Sequence, residues 1–267
     1  MSEQALHRDS DRAIALYQQG RYAEALRIQL RVLAESERLL GADHIDTIAR
    51  MSYVAIFLWA LGRRAEAFDR QAEAFAASAR VLGIDHPDTL AASNNLAMFT
   101  SDPQEAARMH EVVLTAKEQA LGPDHPDLLP TVINLAASYG GTGRHDQALT
   151  ISLRALALAE SSLGPEHPTT LTIRNNVAVH TSEVHGPVWA VELHQQTLRL
   201  RERALGPDHP DTLQSGHNLG VTYREAGRPD RSEAVLTETL HRLEQTLGSQ
   251  HPATVKCRAS LTRTQSL

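Results

Sequence analysis

The stretch Leu121-Gly122-Pro123-Asp124-His125-Pro126-Asp127 decides the fold, because it returns along the chain. Its histidine recurs at His44, His86, His125, His167, His209 and His251, in steps of 42, 39, 42, 42 and 42 residues. Small residues keep the same step in two further series. One runs Ala13, Ala55, Ala97, Ala136, Ala178 and Gly220, the other Ala25, Ala67, Ala106, Ala148, Ala190 and Ser232. Three series that share one period, each with a single 39-residue step, define an internal repeat. A period in this range marks an array of identical supersecondary units.

Each unit reads as two helices. In the fourth, Asp124 is expected as the N-cap, and Asp127 places a carboxylate at the positive helix end. Leu128, Val132, Leu135, Ala136 and Tyr139 follow at helical spacing, and Gly140-Gly141-Thr142-Gly143 is expected to break the helix. A second helix begins near His145-Asp146, carries Ala148, Ile151, Leu153, Ala155, Leu156 and Ala159, and stops at Leu163-Gly164-Pro165. No segment alternates with period two for long enough to make a strand, so the chain is expected to be all-α. The recurring alanines have a physical reason. Two helices that cross closely leave room only for a small side chain at the crossing.

Counting outward gives six hairpins, at 2–41, 42–83, 84–122, 123–164, 165–206 and 207–248, then a polar capping helix at 249–267. One repeat cannot bury its apolar face alone, and an array needs a polar end, so 1–267 is expected to be one solenoid.

Composition agrees. The chain has 267 residues, a net charge of −6, 42% hydrophobic and only 4% aromatic residues, so its core must be built from Leu, Ala, Val and Ile. Its two lysines, Lys117 and Lys256, and its acidic balance argue against nucleic acid as a partner. One cysteine, Cys257, excludes an intramolecular disulfide and any multi-cysteine metal site. The longest apolar run, Val54 to Leu61, is eight residues, and the N-terminus lacks a basic start before an apolar stretch. No membrane helix and no signal peptide are expected. A cytoplasmic protein is the expectation, and the preference for Arg over Lys is taken as a bacterial genome's composition.

The run from Asn134 to Ala148, Asn-Leu-Ala-x-x-Tyr-x-x-x-Gly-Arg with Ala five positions after the Gly, resembles a tetratricopeptide repeat. The 42-residue spacing, the Leu-Gly-Pro-Asp-His-Pro-Asp joints and Asn94-Asn95-Leu96-Ala97 are similar to the kinesin light chain subtype. The resemblance implies a right-handed superhelical solenoid whose first helices line a concave groove. Carried over residue by residue, the groove positions are Ala49, Ser52, Ile56 and Trp59 in the second unit and Ala91, Asn94 and Met98 in the third. The fourth supplies Pro130, Ile133, Ala137 and Gly140, the fifth Thr172, Asn175, Val179 and Ser182, and the sixth Gln214, His217, Val221 and Arg224. Beside them stand Asn95, Asn134, Asn176 and Asn218.

In relatives such asparagines hydrogen-bond an extended peptide, which suits an amide that both donates and accepts. The alternative is that they satisfy helix carbonyls of the neighbouring repeat. Some relatives clamp a terminal carboxylate with Lys and Asn, but here no Lys holds a groove position and Arg224 is the single candidate cation. With an overall charge of −6, a neutral or basic peptide or protein segment is expected as partner. The short third unit, Phe99-Thr100-Ser101-Asp102-Pro103-Gln104, should use Asp102 as N-cap and Pro103 as first helical residue. It leaves either a notch with a Met98–Phe99 pocket or a plain shortened turn.

Nothing points to catalysis. The six joint histidines would lie about 10 Å apart at ordinary helix spacing, too far to share zinc. His180, Glu183, His185 and His194 lack the His-Glu-x-x-His spacing. The glycines at 140–143 are not followed by Gly-Lys-Ser/Thr, so they make no phosphate loop. Lys256 and Arg258 flank Cys257 and would lower the pKa of an exposed thiol, although a plain surface or half-buried cysteine is the simpler reading. No cofactor and no metal are expected. The function expected is a scaffold or adaptor that binds a peptide or protein in its groove. The alternatives are a ligand- or peptide-responsive sensor acting on a separate effector chain, and an enzyme or an enzyme's obligatory partner using a groove pocket.

Overall fold

The computed structural model describes residues 2–266. Those residues form thirteen α-helices and one 3-10 turn, with no strand among them. The chain divides into two compact units, Met1–Pro123 and Asp124–Leu267.

The first unit holds three hairpins: α1 (Glu3–Gln18) with α2 (Tyr22–Leu40), α3 (Ile45–Ala60) with α4 (Arg64–Leu82), and α5 (Pro87–Phe99) with α6 (Pro103–Leu121). The second opens on the 3-10 turn Pro126–Leu128. It continues with α7 (Leu129–Gly141) and α8 (His145–Ser162), α9 (Pro168–His185) and α10 (Pro187–Leu205), α11 (Pro210–Glu225) and α12 (Pro229–Leu247), and ends in α13 (Pro252–Gln265). Within each unit every helix packs on the one before and the one after it, and α13 also reaches α11.

The helix starts correct one expectation. The residue that caps the joint helices is the histidine, not the aspartate before it. His125 Nδ1 accepts the backbone N–H of Asp127 at 3.2 Å, and His44, His86, His167, His209 and His251 do the same, each at 3.2 Å. An accepting Nδ1 leaves the ring proton on Nε2. The Pro that follows five of these histidines fits the first helical turn, where a missing N–H costs nothing. The acid before the histidine has another task. Asp43 pairs with Arg80, and Glu166 with Arg203 at 2.9 Å, each tying a joint to the end of its own hairpin's second helix.

The glycine run at 140–143 behaves differently from expectation as well. Helix α7 continues through Gly140 and Gly141, and only Gly143, at φ +74°, needs the left-handed region. Gly140 serves a close approach, since a Cβ there would sit 3.1 Å from His180 Cε1.

Both small-residue series are buried throughout. At the last crossing the fit is tightest: a Cβ on Gly220 would lie 2.5 Å from Leu236 Cγ, and Ser232 Oγ donates to the Gly220 carbonyl at 2.7 Å. Around these crossings the first unit packs Leu16, Leu26, Leu33, Val54, Phe57 and Leu58 into one core. Near the end of the second unit, Leu213, Leu236, Leu243 and Cys257 form another.

The shortened repeat carries no Met98–Phe99 pocket. Asp102 caps α6 as expected, accepting from the Gln104 N–H at 2.9 Å. The Phe99 ring, however, is buried and stacks on Trp59 at 4.8 Å, while Met98 stands exposed. The aromatic ring had a partner one repeat away, and core burial took it.

Two seams between hairpins use the same contact in opposite senses. Between α2 and α3, buried Arg50 of α3 donates to Ser36 Oγ of α2 at 3.1 Å. At the corresponding positions between α10 and α11, buried Arg201 of α10 donates to Ser215 Oγ of α11 at 2.9 Å. Arg201 also donates to the Asp211 carbonyl at 2.7 Å. The guanidinium sits on the second helix in one seam and on the first helix in the other.

Helix α13 covers the last hairpin with Thr254, Cys257, Ser260 and Thr264. Cys257 is fully buried, and burial pushes its thiol up to about 11. That is opposite to the effect Lys256 and Arg258 would have on an exposed cysteine: Lys256 lines a cavity, Arg258 pairs with Glu244 at 2.6 Å, and the sulfur faces Leu236.

Candidate functional site

Each unit carries a cavity on the face where the sequence places the groove. In the first, Ala49, Ser52, Tyr53 and Ile56 of α3 face Ala91 and Asn95 of α5 across about 210 Å³, with Ile45, Ile48 and Leu82 completing an apolar wall. Asp88 is the one charged residue in that lining. Ile56 also rests on the core, so it forms a firm floor.

Trp59 is placed differently from its expected role. It is half-buried, stacked on Phe99, and Arg64 lies over its ring at 4.3 Å. Both faces are occupied. Asn94 is half-buried and its Oδ1 has no hydrogen-bond partner.

In the second unit a larger cavity, about 370 Å³, opens between α9, α10, α11 and α13. Val179, His217, Asn218, Val221 and Arg224 line it. Three more lining residues, Lys256, Ser260 and Arg263, come from the final helix, which the sequence reading treated only as a cover. Their spacing of i, i+4 and i+7 on one helix was the legible sign that they share a face. Glu183 and Glu225 also line the cavity, and Glu225 accepts from Arg224 at 3.2 Å.

His194 lies in the lining, almost wholly buried, with Nδ1 unpartnered. Burial alone takes its pKa down to about 4, so the ring is neutral at pH 7. His217, whose Nε2 meets Ser260 Oγ at 3.1 Å, is also held below the usual histidine value. Burial is the first cause there, and the charges of Lys256, Arg224 and Arg263 add to it.

The asparagines divide. Asn95 and Asn218 line the two cavities; Asn134 and Asn176 are half-buried at corresponding positions and line neither. Asn218 Nδ2 donates to Asn175 Oδ1 at 2.9 Å, while its Oδ1 accepts from Gln214 at 2.8 Å. These amides close on one another across the α9–α11 repeat step, so a peptide would have to exchange with that network.

Histidines of the fifth repeat do not assemble a site. His180 and His194 are buried and neutral-favouring, whereas Glu183 and His185 are exposed. Among the described residues the one trio with clustered metal-ligating atoms is Glu3, His7 and Asp46, within 4.8 Å at the surface of the first unit. Arg50 approaches Asp46 at 3.8 Å and competes with any cation there. No described helix is long and apolar enough to cross a membrane.

The comparisons agree with this geometry. Models of the tetratricopeptide repeat match residues 48–119, 129–183 and 190–245, and a second such model matches 10–46. A search of curated proteins finds no match. Among solved structures, the chain is similar to the nearly identical repeats of a putative kinesin light chain from Podospora anserina. Identity there is 25% and the TM-score 0.66, covering 76% of this chain and 98% of that one. It is similar in fold to BtubC (BKLC) from P. vanneervenii, at 20% identity and TM-score 0.69, covering 86% and 94%. It also shares its fold with NprR in complex with its cognate peptide NprX, at 12% identity and TM-score 0.65, covering 100% and 73%. The spacing, the paired helices and these matches agree: the chain belongs to the tetratricopeptide-repeat family, with repeats of the kinesin-light-chain-like kind.

Proposed function

We propose that this chain is a non-enzymatic scaffold that binds peptide segments on the faces of its first helices. One observation carries the reading: each unit holds a preformed cavity on that face, built from corresponding repeat positions. A site already shaped in the free protein spends little ordering entropy on binding, so affinity is set by the partner's own flexibility. In the first unit, the apolar wall with Asp88 at its edge favours an aliphatic side chain flanked by neutral or basic residues. The NprR structure, solved with a peptide, supports peptides as the class of ligand. It also supports a second form of the reading, in which the bound peptide regulates a separate effector chain.

The test is an array of immobilised twelve-residue peptides probed with the full chain and with Ile56→Glu and Val221→Glu. Selective binding to a subset, lost in one or other variant, is expected. Uniform background, or binding indifferent to both changes, overturns the reading. Small-angle scattering with a bound peptide separates the two forms, because only the regulatory one requires a change in the scattering profile.

A further inference from the structure

The cavity of the second unit has a chemistry that a general peptide groove does not need. Arg224 enters from α11, and Lys256 and Arg263 from the exposed face of α13. Among the described residues neither Lys256 nor Arg263 has a carboxylate partner; the Arg263 guanidinium donates to Ser260 Oγ at 3.2 Å. Arg224 Nη1 is buried with no acceptor, although Nη2 of the same group reaches Glu225. His194 completes the lining, buried and neutral at pH 7.

The electrostatics point the same way. At the His217 ring, after burial, the positive charges of Lys256, Arg224 and Arg263 also hold the pKa down. Glu183 is exposed at the rim, and Glu225 is spent on Arg224.

We propose that this cavity binds a phosphoryl group, held by Arg224, Lys256 and Arg263, with the His194 imidazole in its lining. Phosphoryl is favoured over carboxylate by the count and spread of donors. A carboxylate is satisfied by one guanidinium fork, whereas a dianion with three oxygens uses separate cations converging from two helices. The volume, about 370 Å³, admits a phosphorylated side chain with its neighbouring atoms, and Val179 and Val221 offer the apolar flank such a side chain would meet. The site stands independently of the peptide reading, since it takes the group whether free or carried on a chain.

The experiment is a titration of the full chain, at constant ionic strength, with inorganic phosphate, O-phosphoserine and glutamate. The imidazole resonances of His194 and His217 and the melting temperature are followed. Wild type is expected to bind phosphate and phosphoserine with a Kd of about 1 mM, as weak single-group ligands do. Affinity should fall at least tenfold in Lys256→Ala/Arg263→Ala and return in Lys256→Arg/Arg263→Lys. Both positions are exposed, so the variants fold, and unchanged far-ultraviolet circular dichroism verifies it. Glutamate binding as tightly as phosphoserine overturns the phosphoryl assignment. A melting shift equal in wild type and the double alanine variant is a bulk salt effect and overturns the site itself.

Discussion

Gly220→Ala tests the close-crossing argument with a change whose sign is at stake. In an open helix the substitution stabilises by about 1 kcal/mol, because alanine loses less backbone freedom than glycine. Here the new methyl would lie 2.5 Å from Leu236 Cγ and 2.6 Å from Cδ2. Leu236 is fully buried in the core shared with Leu213, Leu243 and Cys257, so it cannot swing away without opening that core. Overpacking of this kind costs about 1–3 kcal/mol, which leaves a net destabilisation of about 1 kcal/mol after the helix gain. The assay is hydrogen exchange of the α11 and α12 amides, which reads local opening around the crossing. Leu236→Ala costs about 2–5 kcal/mol by itself. It also makes room for the methyl, so on that background Gly220→Ala should change sign and stabilise by about 1 kcal/mol. The coupling in the cycle is then about 2 kcal/mol. Stabilisation by Gly220→Ala in the wild-type chain would refute the claim that small residues are there to let the helices approach.

The other predictions concern caps, pH and the thiol. His209→Ala should destabilise by about 1 kcal/mol by removing the acceptor for the Asp211 N–H, and His209→Asn should restore most of it, read by urea unfolding. For His194, with a folded pKa of about 4 against 6.5 unfolded, the neutral ring is favoured in the native state. Its contribution is therefore complete above pH 6.5 and is lost as pH falls toward 4, amounting to about 2 kcal/mol of lost stability at pH 5. Urea melts at pH 7 and pH 5 should show that slope reduced in His194→Gln, and an equal slope in both proteins would count against the assignment. Ala148→Leu should cost about 1–3 kcal/mol at its own crossing, measured in the same way. Cys257 should resist a thiol reagent in the native chain and react at once in denaturant; rapid native labelling would show that α13 does not cover it as described.

Most of the fold was legible because spacing is a property of sequence. A 42-residue step in His125 and its equivalents can only come from one unit repeated, and the buried alanines at those steps follow from helix geometry. The caps were misread because aspartate is the commoner N-cap residue. Whether an imidazole accepts the first free N–H depends on a ring orientation that no spacing reveals. Gly140 looked like a breaker because its true constraint, the His180 ring, lies a whole repeat away. The site was legible by position and hidden in chemistry. His217, Val221 and Arg224 line a cavity, yet Trp59 had already found Phe99 and Arg64, and Asn218 had found Asn175. Such pairings depend on neighbours brought in by folding. The largest omission, the contribution of Lys256 and Arg263, came from reading a polar helix as a cover and overlooking that its exposed face also lines a cavity.

The mirrored serine–arginine seams bear on how such arrays are rearranged. Setting α10 against α3 would bring two guanidiniums, Arg201 and Arg50, to one dry contact, and setting α2 against α11 would leave Ser36 and Ser215 facing a void. Neighbours are thus addressed by which side carries the long cation. A library made by shuffling the hairpins that meet at these two seams should yield well-behaved chains only where such a junction inherits one of each.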